Sequence, residues 1–403
     1  MNTLPPPDSR HVRPDLHPFR IEVPQHQLDD LEGRLSRTRW PSDGPATGWE
    51  RGVPAPYLTS LVEYWRTHYD WREHEARLNA FPQFTTEVDG QTLHYLHVES
   101  EVPGALPLVL THGWPGSPVE FLRVIAPLTD PEAHGGDARD AFHLVIPSLP
   151  GYGFSNPVRE AGWGNLFRVA LAWKELMARL GYDRYAVQGT DVGAGVAQLL
   201  SVADPERVAG VHLSGTVAAM PFGPAIDVDS LPEADRPRAA RFNRFREDGL
   251  GYLQLQATRP QTLAYALADS PVGQLAWVVE KFAEWTDPAA RLPEDAVDRD
   301  QLLTNVCLYW FTGSGASSAH ALYEGMQAFR EMAPHAQDAA APPPPPNAVA
   351  VFAADSTVRS TFDPGHAVER WTEFDTGGHF AAMETPGLLV DDLRAFFRPH
   401  RGA

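Results

Sequence analysis

Asp191 occupies a position where an acidic side chain could act as a nucleophile. An apolar run typical of a strand, Tyr185–Gln188, precedes it, a helix is predicted after it, and Gly189 and Gly193 flank it. This is the pattern of a nucleophile elbow with aspartate in place of serine. A carboxylate at such a turn attacks an sp³ carbon by displacement and forms an alkyl ester. The alternative is that Asp191 only caps the helix.

A second motif, His112–Ser117, follows another apolar run, Leu106–Leu110. A strand followed by His-Gly-x-Pro-Gly resembles the oxyanion loop of α/β-hydrolases, in which backbone N–H groups stabilise developing negative charge. The predicted donors are the amides of Trp114 and Val192. A simple Gly/Pro turn is the alternative, but the two motifs together match one fold and are far more specific than either alone.

His379 lies in a glycine-rich loop near the end of the chain and is the predicted base. The order nucleophile, acid, histidine is the hydrolase order. His379 would activate the water that hydrolyses the ester formed on Asp191. Asp355, directly after a strand-like run, is the predicted acid that orients His379. Three further carboxylates remain as competitors for this role: Asp363, Glu369 and Asp375.

An aspartate nucleophile is suited to two classes of electrophile, epoxides and alkyl halides. Opening an epoxide leaves an alkoxide, so the site needs a proton donor on the other side of the substrate. A tyrosine hydroxyl, with a pKa of about 10, is protonated at neutral pH and could serve. Residue chemistry alone leaves open the choice among four tyrosines of the predicted lid: Tyr252, Tyr265, Tyr309 and Tyr323.

Composition narrows the class of partner. The chain has 403 residues, with 33 Lys plus Arg against 52 Asp plus Glu and a net charge of −19. This balance argues against nucleic acid or an anionic membrane as the main partner. Cys307 is the only cysteine, so an intrachain disulfide and a Cys-based zinc site are excluded. Without a membrane span or a secretory signal, the sequence predicts a soluble, cytoplasmic protein.

The pattern of helices and strands predicts an α/β core interrupted by a helical lid. Short β-type runs alternate with helices, which favours a mostly parallel sheet, and Asp89-Gly90 predicts a hairpin. Pro342–Pro346 predicts a stiff spacer. The predicted divisions are an N-terminal helical extension and irregular meander at 1–84, core at 85–220, lid and linker at 221–346, and core again at 347–403.

The chain resembles the microsomal-type epoxide hydrolases, including juvenile-hormone and bacterial members. The resemblance runs from about Pro18 to Phe397 and implies an α/β-hydrolase core with a helical lid and an N-terminal meander domain. It covers the loops already described and several lid segments. Its main motifs are His112–Ser117, Pro150–Ser155, Gly251–Thr258, Leu302–Val306 and Gly377–Ala382.

The resemblance also implies roles for individual residues. By position, the pair that activates the epoxide corresponds to Tyr252 and Tyr323. The catalytic triad corresponds to Asp191, Asp355 and His379. An apolar epoxide would contact Trp114, Phe154 and Val192; many relatives have Trp where this chain has Val192. No metal or organic cofactor is expected, and a homodimer is possible.

Three other functions remain in view. A haloalkane dehalogenase shares the aspartate nucleophile and would release halide instead of a diol. A serine esterase is disfavoured because the elbow has no serine. A catalytically silent binding protein of the same fold is disfavoured by the complete set of catalytic residues.

Overall fold

A nine-stranded sheet forms the centre of the computed structural model, which describes residues 15–42, 48–215, 223–332 and 344–401. The predicted spacer Pro342–Pro346 lies partly outside these residues. The strands are β1 His17–Phe19, β2 Gln83–Val88, β3 Gln91–Val98, β4 Leu106–Thr111, β5 Phe142–Pro147, β6 Tyr185–Thr190, β7 Val208–Ser214, β8 Asn347–Val351 and β9 Arg370–Glu373.

The sheet is parallel through most of its width and antiparallel at one edge. Its order is β1-β2-β3-β5-β4-β6-β7-β8-β9, and the six strands from β5 to β9 in this order pair in parallel. Asp89 and Gly90 both have positive φ, 49° and 73°, as a type I′ turn requires. The predicted hairpin and parallel sheet are therefore confirmed, and the carboxyl ends of the parallel strands meet at one edge.

Helices cover both faces of the sheet and form the lid. They are α1 Gln25–Ser36, α2 Ala55–Thr67, α3 Trp71–Leu78, α4 Leu122–Thr129, α5 Leu166–Arg179, α6 Val192–Ala203, α7 Arg236–Arg244, α8 Gly251–Gln256, α9 Pro260–Asp269, α10 Pro271–Trp285, α11 Pro293–Ala296, α12 Arg299–Thr312, α13 Ser314–Met332, α14 Arg359–Phe362, α15 Ala381–Glu384 and α16 Pro386–Phe397. Of the helices among the described residues, none combines the length and apolar character needed to cross a bilayer.

Alternate residues of each parallel strand enter different cores. Val109 belongs to the core that includes α5 and α6, whereas Leu108 and Leu110 belong to the core that includes α4 and α16. Successive strand residues point to opposite faces, so a strand buried on both sides is apolar throughout. This explains why the strands appear in the sequence as continuous apolar runs.

The N-terminal region is attached to both the sheet and the lid. Strand β1 pairs with β2, and Leu31 of α1 and Trp65 of α2 share a core with Leu275 of α10 and Val306 of α12. The predicted division at residue 84 falls inside β2. The region therefore braces the lid against the core.

Helix α3, Trp71–Leu78, is regular structure within the region 1–84, for which an irregular meander was predicted beside the helical extension. The Asp70 side chain accepts a hydrogen bond from the Arg72 amide at 2.9 Å and caps the helix. Trp71 and Leu78 are buried on one side of it. The cap and this short apolar face were present in the sequence, but the aromatic and proline residues around them obscured the pattern.

Buried neutral histidines make the stability of this core depend on pH. Burial lowers the pKa of His94 to about 3, and its ring nitrogens contact Ser148 Oγ and Gln83 Oε1, each at 2.9 Å. The unfolded chain takes up a proton near pH 6.5 while the folded chain does not. The free energy of unfolding therefore decreases as the pH falls below 6.5, by about 1 kcal/mol per pH unit for this group.

We expect His94→Gln to remove this share of the pH dependence between pH 6.5 and pH 4. The variant is also less stable at pH 7, because its side chain cannot reproduce both hydrogen bonds. Urea unfolding at several pH values measures both effects, with His26→Gln at an exposed position as the control. An unchanged slope in His94→Gln would show that His94 is protonated in the folded protein.

Candidate active site

Asp191 lies in a strained turn between β6 and α6. Its φ is 53° and its ψ is −125°, a conformation that non-glycine residues rarely adopt. A side chain at Gly193 would collide with the Thr111 carbonyl at 2.0 Å, and one at Gly189 with the Gly193 carbonyl at 2.1 Å. The two glycines therefore allow the close approach of strand, turn and helix that lifts Asp191 to the edge of the sheet.

The Asp191 carboxylate does not cap its own helix. Its Oδ1 accepts a hydrogen bond from the Trp114 backbone amide at 2.8 Å, and it makes no cap hydrogen bond with α6. Its Oδ2 lies 3.7 Å from Nε2 of His379. These contacts favour the predicted role of Asp191 as a nucleophile over a role as a helix cap. One oxygen is bound to a predicted oxyanion donor, and the other faces the predicted base.

The lid helix α12 holds the oxyanion loop in place. Three of its buried residues, spaced four apart, donate to backbone carbonyls of this loop and of the short helical turn that follows it. Gln301 donates to the Val119 carbonyl at 2.7 Å, Asn305 to Pro115 at 2.8 Å, and Tyr309 to Gly116 at 2.8 Å. The three polar residues in an apolar helix were a signal that the sequence reading did not use.

The loop that carries His379 is also held by the lid. The His379 amide donates to the Trp285 carbonyl at 2.8 Å, and the two rings lie 5.0 Å apart between centroids. A side chain at Gly378 would meet this same carbonyl at 2.3 Å. The end of α10 therefore sets the position of His379, and glycine is required beside it.

Asp355 lines the same cavity as His379 and follows β8, as predicted. Its Oδ1 accepts a hydrogen bond from the Thr357 amide at 2.7 Å. Among the described residues, the only carboxylate within 4.0 Å of a His379 ring nitrogen is that of Asp191. Asp355 therefore shares the cavity with the base and makes no direct bond to it.

None of the three competing carboxylates lines the cavity, and two of them are engaged elsewhere. Asp363 accepts the Ala367 amide at 2.7 Å and pairs with Arg359. Glu369 pairs with His400 at 2.8 Å, and Asp375 is exposed. Their positions favour Asp355 as the orienting acid.

Tyr252 is the one tyrosine of the four candidates that lines the cavity. Its ring stacks on that of Trp114, with centroids 4.9 Å apart. Burial and the neighbouring carboxylates of Asp191 and Glu284 raise the pKa of Tyr252 well above its usual value, so the phenol stays protonated. Its hydroxyl has no hydrogen-bond partner among the described residues and is available to a substrate.

The other three tyrosines lie in different surroundings. Tyr309 is 1% exposed and donates to the oxyanion loop, and Tyr265 is 70% exposed. Tyr323 on α13 is 37% exposed and is not among the residues that line the cavity, although its neighbour Leu322 is.

The cavity has a volume of about 1040 Å³ and contains Asp191, His379 and Tyr252. One part of its wall is apolar and includes Trp163, Leu166, Val169, Leu322, Met326 and Phe329. Another part is charged and includes Arg241, Arg244, Lys281 and Glu284. Within the described ranges, no group of three or more His, Cys, Asp or Glu side chains is arranged to hold a metal ion.

Two of the three predicted substrate contacts line this cavity. Trp114 and Val192 do, whereas Phe154 does not. The Phe154 ring packs against Phe19 and His94, with centroids 5.0 and 5.3 Å away. Phe154 thus packs against strand β1 of the N-terminal region, and its contact with the substrate stays a prediction.

Two family models match the chain, and curated relatives that match most of its length are named as epoxide hydrolases. A family model described as the epoxide hydrolase N terminus matches residues 16–121, and one described as the alpha/beta hydrolase fold matches residues 107–265. A relative from Stigmatella aurantiaca, provisionally named an epoxide hydrolase, is 46% identical over 95% of this chain and 85% of its own length. Juvenile hormone epoxide hydrolase 1 of Ctenocephalides felis is 33% identical over 96% of this chain and 87% of its own length.

Solved structures show the same relationship. The epoxide hydrolase of Aspergillus niger superposes with a TM-score of 0.80 at 34% identity, over 95% of this chain and 96% of its own. The juvenile hormone epoxide hydrolase of Bombyx mori superposes with a TM-score of 0.83 at 30% identity, over 96% and 95%. The elbow, the oxyanion loop, the lid and this similarity along nearly the whole chain place the protein in the epoxide hydrolase family of α/β-hydrolases.

Proposed function

We propose that this epoxide hydrolase opens its substrate through a covalent ester on Asp191. Oδ2 of Asp191 forms a bond to one epoxide carbon while the bond between that carbon and the ring oxygen breaks. The electron pair goes to the oxygen, which takes the proton of Tyr252. Oδ1, which accepts the hydrogen bond from the Trp114 amide, becomes the carbonyl oxygen of the ester.

The ester is then hydrolysed by water activated on His379. His379 takes a proton from water, and the hydroxide adds to the ester carbonyl carbon. The oxyanion is stabilised by the amides of Trp114 and Val192, and Asp355 orients the imidazolium. Collapse releases the vicinal diol with the proton from His379. The proton of the regenerated Asp191 carboxyl restores Tyr252.

The observation that carries this proposal is the position of the two Asp191 oxygens. One is 2.8 Å from the Trp114 amide and the other 3.7 Å from His379. A single turnover in H₂¹⁸O with enzyme in excess tests it: the label should enter the peptide that contains Asp191 and be absent from the diol. Label in the diol of the first turnover would show direct attack by water and exclude the ester.

Tyr252 is the main proton donor in this mechanism. We expect Tyr252→Phe to slow formation of the ester by about 10²-fold or more, because the alkoxide then leaves unprotonated. Rapid-quench kinetics of a single turnover measure this step. Tyr265→Phe, at an exposed position of the same lid, is the control. Equal rates in Tyr252→Phe and wild type would exclude Tyr252 as the donor.

Tyr323 remains the proposed second donor because of the family resemblance. Its ring would have to turn into the cavity when substrate binds, since Leu322 and Gly325 on either side of it already line the wall. Tyr323→Phe, measured in the same way, tests this role.

The natural substrate is proposed to be a small apolar epoxide. The apolar wall of the cavity supports this, and the Val192 side chain leaves room beside the nucleophile that a tryptophan would fill. The cytoplasmic location and the homodimer stay predictions; light scattering in solution tests the second.

A further inference from the structure

Lysine is rare in this chain, and one of its two lysines lies at the active site. Of the 33 Lys and Arg residues, only Lys174 and Lys281 are lysines. Lys281 is on α10 and lines the catalytic cavity, but it is only 3% exposed. Lysines are almost never fully buried, because the long side chain can place its ammonium in water. Its burial here requires an explanation.

The Lys281 ammonium is directed over aromatic rings. Nζ lies 4.7 Å from the centroid of the Tyr252 ring and 5.5 Å from that of Trp285. Glu284 holds it at 2.7 Å, and Glu280 lies at 3.6 Å. The side chains of the two glutamates are 35% and 36% exposed. Ion pairs with them could form nearer the surface, so pairing alone does not explain the buried position over Tyr252.

The charge on Tyr252 changes during the proposed reaction. The phenol is neutral before the ring opens and becomes a phenolate as its proton moves to the epoxide oxygen. Its other charged neighbours, Asp191 and Glu284, oppose this change. A fixed cation over the ring interacts weakly with the neutral phenol and strongly with the phenolate, and such a difference lowers the barrier.

We propose that Lys281 is a positioning residue for ring opening, which stabilises the negative charge that Tyr252 gains when it protonates the epoxide oxygen. This inference rests on the proposed role of Tyr252. Lys281 does not touch the reacting atoms; it acts through Tyr252, and Glu284 keeps its ammonium over the ring.

The test compares Lys281→Met with wild type in single turnovers that resolve ester formation from ester hydrolysis. We expect ester formation to slow by about 10- to 100-fold and hydrolysis to be unchanged. The loss should be greatest for epoxides that give the most basic alkoxides, because these depend most on the proton. Lys281→Arg should retain most of the rate. Lys174→Met, which removes the other lysine far from Tyr252, is the control.

A double-mutant cycle with Tyr252→Phe separates this role from a structural one. Once Tyr252 has no hydroxyl, Lys281→Met should cause no further loss in ester formation. Equal losses in both backgrounds, or equal slowing of both steps, would overturn the proposal for Lys281. Unchanged ester formation in Tyr252→Phe would instead overturn the role of Tyr252 itself. If Lys281→Met does not fold, Lys281→Gln, which removes the charge and keeps a hydrogen-bond donor for Glu284, serves in its place.

Discussion

We expect Asp191→Ala to abolish diol formation from every epoxide, with kcat/KM falling by at least about 10⁴-fold. Removing the nucleophile removes the only atom that can form the ester, and loss of a nucleophile in other covalent hydrolases costs up to about 10⁶-fold. The oxyanion amides and His379 remain, but water would have to replace Asp191 as the nucleophile and attack the epoxide directly. Chiral chromatography of the diol from aryl and alkyl epoxides measures the residual rate.

The matched control is Asp183→Ala, which removes an exposed carboxylate just before the same strand, β6. It should retain the wild-type rate. Thermal unfolding establishes that both variants are folded; the backbone strain at position 191 remains in Asp191→Ala, because alanine also carries a Cβ. A folded Asp191→Ala enzyme with substantial activity would contradict the covalent mechanism.

The second large effect is expected from His379→Gln, which should stop the reaction after the first step. Asp191, Tyr252 and Trp114 still support ring opening, so the ester forms. Its hydrolysis should slow by about 10²- to 10⁴-fold, because no general base activates water. Intact-protein mass spectrometry after mixing with an epoxide should show the enzyme heavier by the mass of one substrate.

His134→Gln, at an exposed position at the end of a short 3₁₀ helix, is the control and should form no lasting adduct. Digestion should place the adduct of His379→Gln on the peptide that contains Asp191. A folded His379→Gln enzyme without an adduct, and without turnover, would indicate that His379 is needed for ring opening. The assignment of His379 to ester hydrolysis alone would then be wrong.

The elements that could be predicted from the sequence are those whose determinants lie close together in the chain. The elbow at Asp191 needs flanking glycines between a strand and a helix, and the oxyanion loop needs its glycines after a strand. Both requirements are satisfied within a few residues, so both motifs are visible before folding. The parallel sheet was visible for the same reason, since strands buried on both faces are apolar throughout.

The sequence alone was less informative where several residues of one type compete. Four lid tyrosines and four carboxylates were candidates, and their chemistry is equivalent. The fold separates them by position: Tyr252 faces the cavity while Tyr309 bonds to the Gly116 carbonyl, and Asp355 lines the cavity while Asp363 caps a turn. The position of Phe154 away from the cavity lining has the same origin, because a residue distant in the chain, Phe19 of β1, packs against its ring.

The sequence itself thus pointed to Asp191 as the proposed nucleophile and His379 as the proposed base, since local backbone geometry restricts which residues may stand at a strained turn. The choice of epoxides over alkyl halides came from the family resemblance along the whole chain. The tertiary structure alone decided what surrounds these two residues. Asn305 donates a hydrogen bond to the Pro115 carbonyl, and the His379 amide donates one to the Trp285 carbonyl. Both bonds join residues that are far apart in the chain. Lys281 comes to lie over Tyr252 because α8 and α10 pack together in the lid. Such contacts depend on how helices pack, which no local pattern specifies.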